Sequence, residues 1–300
     1  MKKRKFWSGS IAHIYQRATD KGVIFYDEID RLIFYMYISV YSKKYNISVL
    51  GASIMYTHFH LSLRADRMTT ISKCLQDSIS AFARAYNVHY RRQGNFFKKN
   101  FGCSCKRSSK EIRNNLAYVF NNHVEKSICK TAIDHRWSLL AYALSDNPFS
   151  EPLNKTKASA SLLKSLKIVS KNAKRQKIIR YDHLEKMLSS LYHTEREQLI
   201  DHIVREYSLI DFKSSASFFG GIDYMLDALN NMTGNEYHIH EDYSNHPDSG
   251  YTYAIGYLNE NGIQTRMVYN MSEKKKRWLA ELLILNVDIS ESQIRKLLHF

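Results

Sequence analysis

The chain has 300 residues, 44% apolar and 24% charged, so it holds enough apolar material for a real core and is not globally disordered. Its longest mainly apolar run, Leu32 to Tyr41, is ten residues, about half of what a membrane span needs. The basic segment at residues 1–5 is followed by no apolar stretch of signal-peptide length, so neither a membrane protein nor a secreted one is expected. The net charge of +15 is unevenly spread: residues 1–180 carry 33 Lys and Arg against 11 Asp and Glu, residues 181–300 carry 11 against 18. A cationic field of that size over the first part suits a polyanion, above all nucleic acid.

Gly9 to Arg17 reads as a strand, with a turn at Asp20-Lys21-Gly22. Asp27 is placed to cap a helix over 28–45, whose apolar face is Ile29, Leu32, Ile33, Met36 and Val40. Asn46 to Thr57 and His58 to Arg64 are rich in β-formers and read as two strands or one long bent strand. Thr69 or Thr70 is the expected cap of a second helix, ending near Gly94, with Ile71, Leu75, Ile79 and Phe82 inward. Asn95 to Cys105 reads as extended, basic and aromatic, and Ser108 or Ser109 caps a third helix over 110–128. Strands interleaved with helices in this order predict an α+β fold with an antiparallel or mixed sheet and helices on one face.

Pro148 and Pro152 mark an expected boundary, and residues 153–180 hold nine basic side chains and no acidic one. Amphipathic helices are expected over Tyr181 to Tyr192, Thr194 to Tyr207 and Asp223 to Asn231. Ser272 to Phe300 reads as helix, turn, helix, a partial helix-turn-helix with no room for a recognition helix. The four cysteines form no disulfide framework, which fits a reduced cytosol. Cys103-Ser104-Cys105 has no second pair to complete a zinc site.

The strongest local signal is His58-Phe59-His60. On a strand, residues i and i+2 share a face, so the two imidazoles lie side by side while Phe59, Leu61 and Leu63 point into the core. Such a pair can hold a divalent ion, or be two solvated histidines. A second pair, His238 and His240, stands in a polar, acidic stretch and reads as a surface loop. On the third helix Tyr118 and Asn122 are four apart and share one face. In a chain with 21 tyrosines, chemistry alone does not favour Tyr118 over Tyr86 or Tyr90. Arg91, Arg92, Lys98 and Lys99 alternate with Tyr90, Phe96, Phe97 and Phe101, a pattern suited to single strands, with phosphates on the cations and bases on the rings.

From Gly9 to about Ser138 the chain resembles the HUH-type single-tyrosine transposases, those of insertion-sequence-200-like elements and their relatives associated with repetitive extragenic palindromes (REP). His13 and Arg17 match that family's first strand, and Phe25 and Asp30 its helix entry. Met55-Tyr56-Thr57-His58-Phe59-His60-Leu61 matches its Met-Pro-Asn-His-x-His-Leu stretch. Gly94-Asn95-Phe96-Phe97, Tyr118-Val119-Phe120-Asn121-Asn122-His123-Val124 and Trp137-Ser138 match three later segments. Tyr56, Thr57, His123 and Glu125 depart from the family pattern and mark a divergent branch.

The resemblance implies a ferredoxin-like catalytic domain over 1–147, followed by a basic linker over 148–180 and a helical extension over 181–300. It implies Mg²⁺ or Mn²⁺ held by His58, His60 and Asn122, and Tyr118 as the nucleophile that cleaves single-stranded DNA through a 5′-phosphotyrosine. Arg17, Arg91, Arg92, Lys98, Lys99 and Phe97 are the expected DNA contacts. Single-stranded or hairpin DNA is the expected partner, met by a monomer or a homodimer. Two other readings stay open on the same residues: a domesticated hairpin-binding protein that does not cleave, and an RNA-binding protein.

Overall fold

The computed structural model describes residues 6, 7, 9–98, 100–231 and 247–300. The first part runs β1 (Ile11–Arg17), α1 (Glu28–Lys44), β2 (Ser48–Ile54), β3 (His58–Arg64), α2 (Met68–His89), β4 (Gly102–Lys106) and α3 (Ser109–Glu125). The strands form one four-stranded antiparallel sheet in the order β2-β3-β1-β4. The fold is therefore α+β. Asp27 caps α1 through the Asp30 amide, and Ser108 with Glu111 closes a capping box on α3. The start of α2 differs from expectation: Arg67 stands at its N-cap with no side-chain hydrogen bond, and Thr69 and Thr70 lie inside the helix. Among the described residues of the stretch expected to be extended, only those from Gly102 onward belong to a strand, and Phe97 adds a single bridge to Ala18.

Helices cover both faces of the sheet, not one. Ala12, Ile14, Ala52, Phe59, Leu61 and Leu63 join the main core with α1 and α2, a core that also takes in Leu32, Phe34, Leu75 and Phe82. Ile11 and Leu50 on the other face pack with Leu116, Tyr118 and Phe120 of α3 in a second cluster. Gly51 lies under α3, where a Cβ would meet Leu116, Val119 and Phe120. The physical reason is polarity. The second face carries His13, Ser53, His58, His60 and Ser62, all buried, and only a helix offering polar partners can cover it without stranding them.

The later elements are α4 (Ala160–Lys174), α5 (Tyr181–Ser189), α6 (His193–Tyr207), α7 (Phe212–Ser217), α8 (Ile222–Asn231), α9 (Ser249–Glu260), α10 (Glu273–Asn286) and α11 (Glu291–Leu298). Within residues 148–180, read from the sequence as a linker, α4 is a regular helix that packs on α6. The terminal α10 and α11 are not a free helix-turn-helix. Leu297 and Leu298 are fully buried in the main core, and the Lys296 and Leu297 carbonyls accept from Val23 N and Tyr26 Oη. His238 and His240 lie outside the described residues. Among the described residues no helix is long and apolar enough to cross a membrane.

Candidate functional site

Strand register and helix period together build the site. β1 and β3 pair with Tyr15 opposite His60 and Arg17 opposite His58. His13, Tyr15 and Arg17 alternate onto one face of β1, as His58, His60 and Ser62 do on β3. α3 lies over this face and is pinned at two points. Ser62 Oγ donates to Asn115 Oδ1 at 2.7 Å. At the far end His123 contacts Ser53 Oγ through Nδ1 (3.3 Å) and the Ile54 carbonyl through Nε2 (3.2 Å). A carbonyl only accepts, so His123 Nε2 carries the proton and Nδ1 accepts from Ser53. Asn115, Tyr118 and Asn122 recur at i, i+3 and i+7 along the face between these pins.

The residues meet closely. The His58 and His60 rings are 4.9 Å apart and edge-on. The Tyr118 ring stands edge-on to His60 at 5.3 Å and to His13 at 5.6 Å. His13 Nε2 and His60 Nδ1 are 3.1 Å apart, so one proton is shared between them. Thr57 Oγ1 lies 2.9 Å from His58 Nδ1. In both β3 histidines, His58 and His60, Nδ1 is thus engaged, which fixes ring orientation and turns Nε2 to the other side. Tyr15 closes the edge. Its ring lies 6.3 Å from His60 and runs against Gly102, where a Cβ would come within 2.0 Å of it, so any larger residue there would displace the Tyr15 ring.

Burial sets the charge state. His13, His60, Tyr118 and Asn122 are at most 1% exposed and His58 6%. Desolvation pushes the His58 and His13 pKa values well below the usual range and that of His60 down to about 3. His60 adds to the effect on the other two, and Arg17 and Lys126 depress His58 and His60 further. All three are therefore neutral imidazoles, the form that ligates metal. Asn122 Oδ1 is buried with no hydrogen-bond partner among the described residues. An amide oxygen left so is costly, and with two neutral imidazoles it makes a donor set that fits a divalent cation. Among the described residues no group of three His, Cys, Asp or Glu side chains is placed to hold a metal.

The expected DNA contacts fare differently. Arg17 adjoins the histidines at the end of β1. Arg91 and Lys98 are exposed, and Lys99 lies outside the described residues. Arg92 is spent on its own loop: it bonds Asn87 Oδ1 and the Gly94 and Asn95 carbonyls and covers the Phe96 and Tyr269 rings. Phe97, expected as a base-stacking ring, is instead packed among Phe59, Phe82 and Phe96. Phe96 and Tyr90 are buried too, because Phe96 stacks on Tyr86 of α2 and Tyr90 packs on Tyr86, Tyr26 and Tyr269. His123 entered the sequence reading only as a departure from a motif. Its buried role has no one-dimensional signal, since it needs the end of β2 to lie beside α3.

No protein-family description matches the chain, and no curated protein matches it. Among solved structures it is similar to a REP-associated tyrosine transposase bound to a REP hairpin, at 14% identity and a TM-score of 0.39, over 53% of this chain and 96% of that one.

Proposed function

We propose that this chain is a single-tyrosine DNA strand-cleaving and rejoining enzyme of the HUH class, a transposase in its chemistry. We read the β-α-β-β-α-β order of its sheet as ferredoxin-like. The observation that carries the proposal is the convergence of Tyr118, His58 and His60 in one buried cluster, with the Asn122 amide oxygen, which has no hydrogen-bond partner among the described residues, one turn along the same helix. His58 and His60 through Nε2, with Asn122 Oδ1, would hold Mg²⁺ or Mn²⁺. Bound there, the ion would polarise a phosphodiester as a Lewis acid.

Tyr118 Oη attacks the phosphorus and gives up its proton, the bond from phosphorus to the 3′-oxygen breaks, and that oxygen leaves as a 3′-hydroxyl after taking a proton. The 5′-phosphate stays esterified to Tyr118. Attack by a 3′-hydroxyl reverses the step, and the ester conserves the bond so that rejoining needs no external energy. For Nε2 to ligate, His60 Nδ1 would carry its proton and donate to His13 Nε2, and His58 Nδ1 would donate to Thr57 Oγ1. Because Tyr118 is buried, a nucleotide reaches it only after local opening, which makes that opening a gate on the rate.

The test is a denaturation-resistant protein–DNA adduct on labelled hairpin-bearing single strands drawn from the flanks of the gene, with and without Mn²⁺. Wild type is expected to form it with metal, and Tyr118→Phe to bind the same DNA without forming it. Tight binding with no adduct from wild type would replace the enzyme by the non-cleaving hairpin binder. Equal or tighter binding of matched RNA would favour the RNA-binding reading.

A further inference from the structure

We propose that α4 is a second, sequence-independent surface that binds the phosphate backbone of duplex DNA, remote from Tyr118. This rests on the reading that the chain works on DNA. Lys164, Lys167, Lys171 and Lys174 recur at spacings of three and four along α4 and are all exposed, so they form one stripe on one face. Leu162, Ser165, Leu166 and Val169 are the buried face of the helix. The helix contains no acidic residue, and none of the four lysines forms an ion pair among the described residues. Arg175 and Lys177 extend the row past the helix end.

The geometry points to a nucleic-acid backbone. Ten residues of helix span about 15 Å, over which one strand of a duplex presents about four phosphates along its axis. Four ammonium groups therefore meet about four phosphates in register. A membrane surface is the weaker match. Interfacial helices bury apolar side chains beside their lysines, and no large apolar side chain of α4 is exposed. Position separates this surface from the tyrosine. α4 packs on α6 and α6 on α1, on the sheet face opposite α3. A short strand held at Tyr118 leaves α4 uncovered, and longer flanking DNA is what the stripe would engage.

The experiment is a salt titration of binding to a long blunt duplex, followed by fluorescence anisotropy. It compares wild type with K164Q/K167Q/K171Q/K174Q and with the corresponding four-arginine variant. Loss of four phosphate contacts is expected to make the log–log salt slope shallower by about 3 to 4 and to weaken binding at least roughly tenfold at moderate salt. The arginine variant is expected to retain both. Circular dichroism checks that the glutamine variant is folded. Adduct formation on a short single strand is expected to be unchanged by it. An unchanged slope overturns the proposal. So does loss of binding to phosphatidylserine vesicles with duplex binding intact. Failure of the Tyr118 reading is distinct: no adduct from any of the three proteins, with the duplex titration still legible.

Discussion

Asn122 holds the most specific single-residue information in the site. Its amide oxygen is buried and unsatisfied among the described residues, which costs a fold about 1–3 kcal/mol unless something coordinates it. Asn122→Ala is therefore expected to leave the melting temperature in metal-free buffer nearly unchanged, unlike an ordinary buried polar deletion. Mn²⁺ is expected to raise the melting temperature of wild type and not of the variant. A differential scanning fluorimetry series across Mn²⁺ concentrations reads both effects, and an equal rise in the two proteins would remove Asn122 from the site. The H-x-H pair and the tyrosine–asparagine spacing were legible in sequence because each lies within one element, where the strand period of two or the helix period near 3.6 fixes sidedness. His13 as the partner of His60 was not, because 47 residues separate them and only strand register unites them.

α3 is the element on which the site turns, since it carries Tyr118 and Asn122 and is held at its start by the Ser108–Glu111 capping box. Ser108→Ala removes the hydroxyl that accepts from the Glu111 amide and is expected to cost about 1 kcal/mol, measured by urea denaturation. The same change is expected to lower adduct yield far less than Tyr118→Phe, because Asn115 and His123 still pin the helix to β3 and β2. The sequence narrowed the cap to Ser108 or Ser109, and the structure places it at Ser108. The cap of α2 was not legible: Thr69 and Thr70 have the right chemistry, but the chain enters helix two residues earlier, with Met68 packed against the core. Met68, partly buried against the core, and the fully buried Ile71 set where the helix starts, and Thr69 and Thr70 fall inside its first turn.

At the scale of the whole molecule the chain's two ends are tied together. His299 Nδ1 lies 2.7 Å from Asp20 Oδ2, and α11 inserts Leu297 and Leu298 into the core that begins at Ala12. Burial alone would raise the Asp20 pKa. Its hydrogen bond and charge contact with His299, with the Gly22 amide, outweigh burial and lower it from 3.8 to about 2. The sign follows: this contact's contribution is present above about pH 4, and falls away as pH drops through 2. Thermal unfolding is therefore expected to show Asp20→Asn less stable than wild type at pH 5, with the gap closing toward pH 2. A gap constant with pH would show that the ionised carboxylate contributes nothing. Asp20 is about half exposed, so solvent screening keeps the difference small.

By itself the sequence determined the alternation of strands and helices, the cationic first part, and that His58 and His60 share a strand face and Tyr118 and Asn122 a helix face, because charge, local period and capping chemistry act between near neighbours; the choice of Tyr118 among 21 tyrosines came from the family resemblance. The tertiary structure alone decided that α3 covers a polar sheet face opposite α1 and α2. It alone decided that Phe97 belongs to the core and Arg92 to its own loop, and that the last helix closes against the first turn. Each of these depends on which surfaces meet across long separations in the chain, where burial of apolar area and the pairing of buried polar groups are settled together.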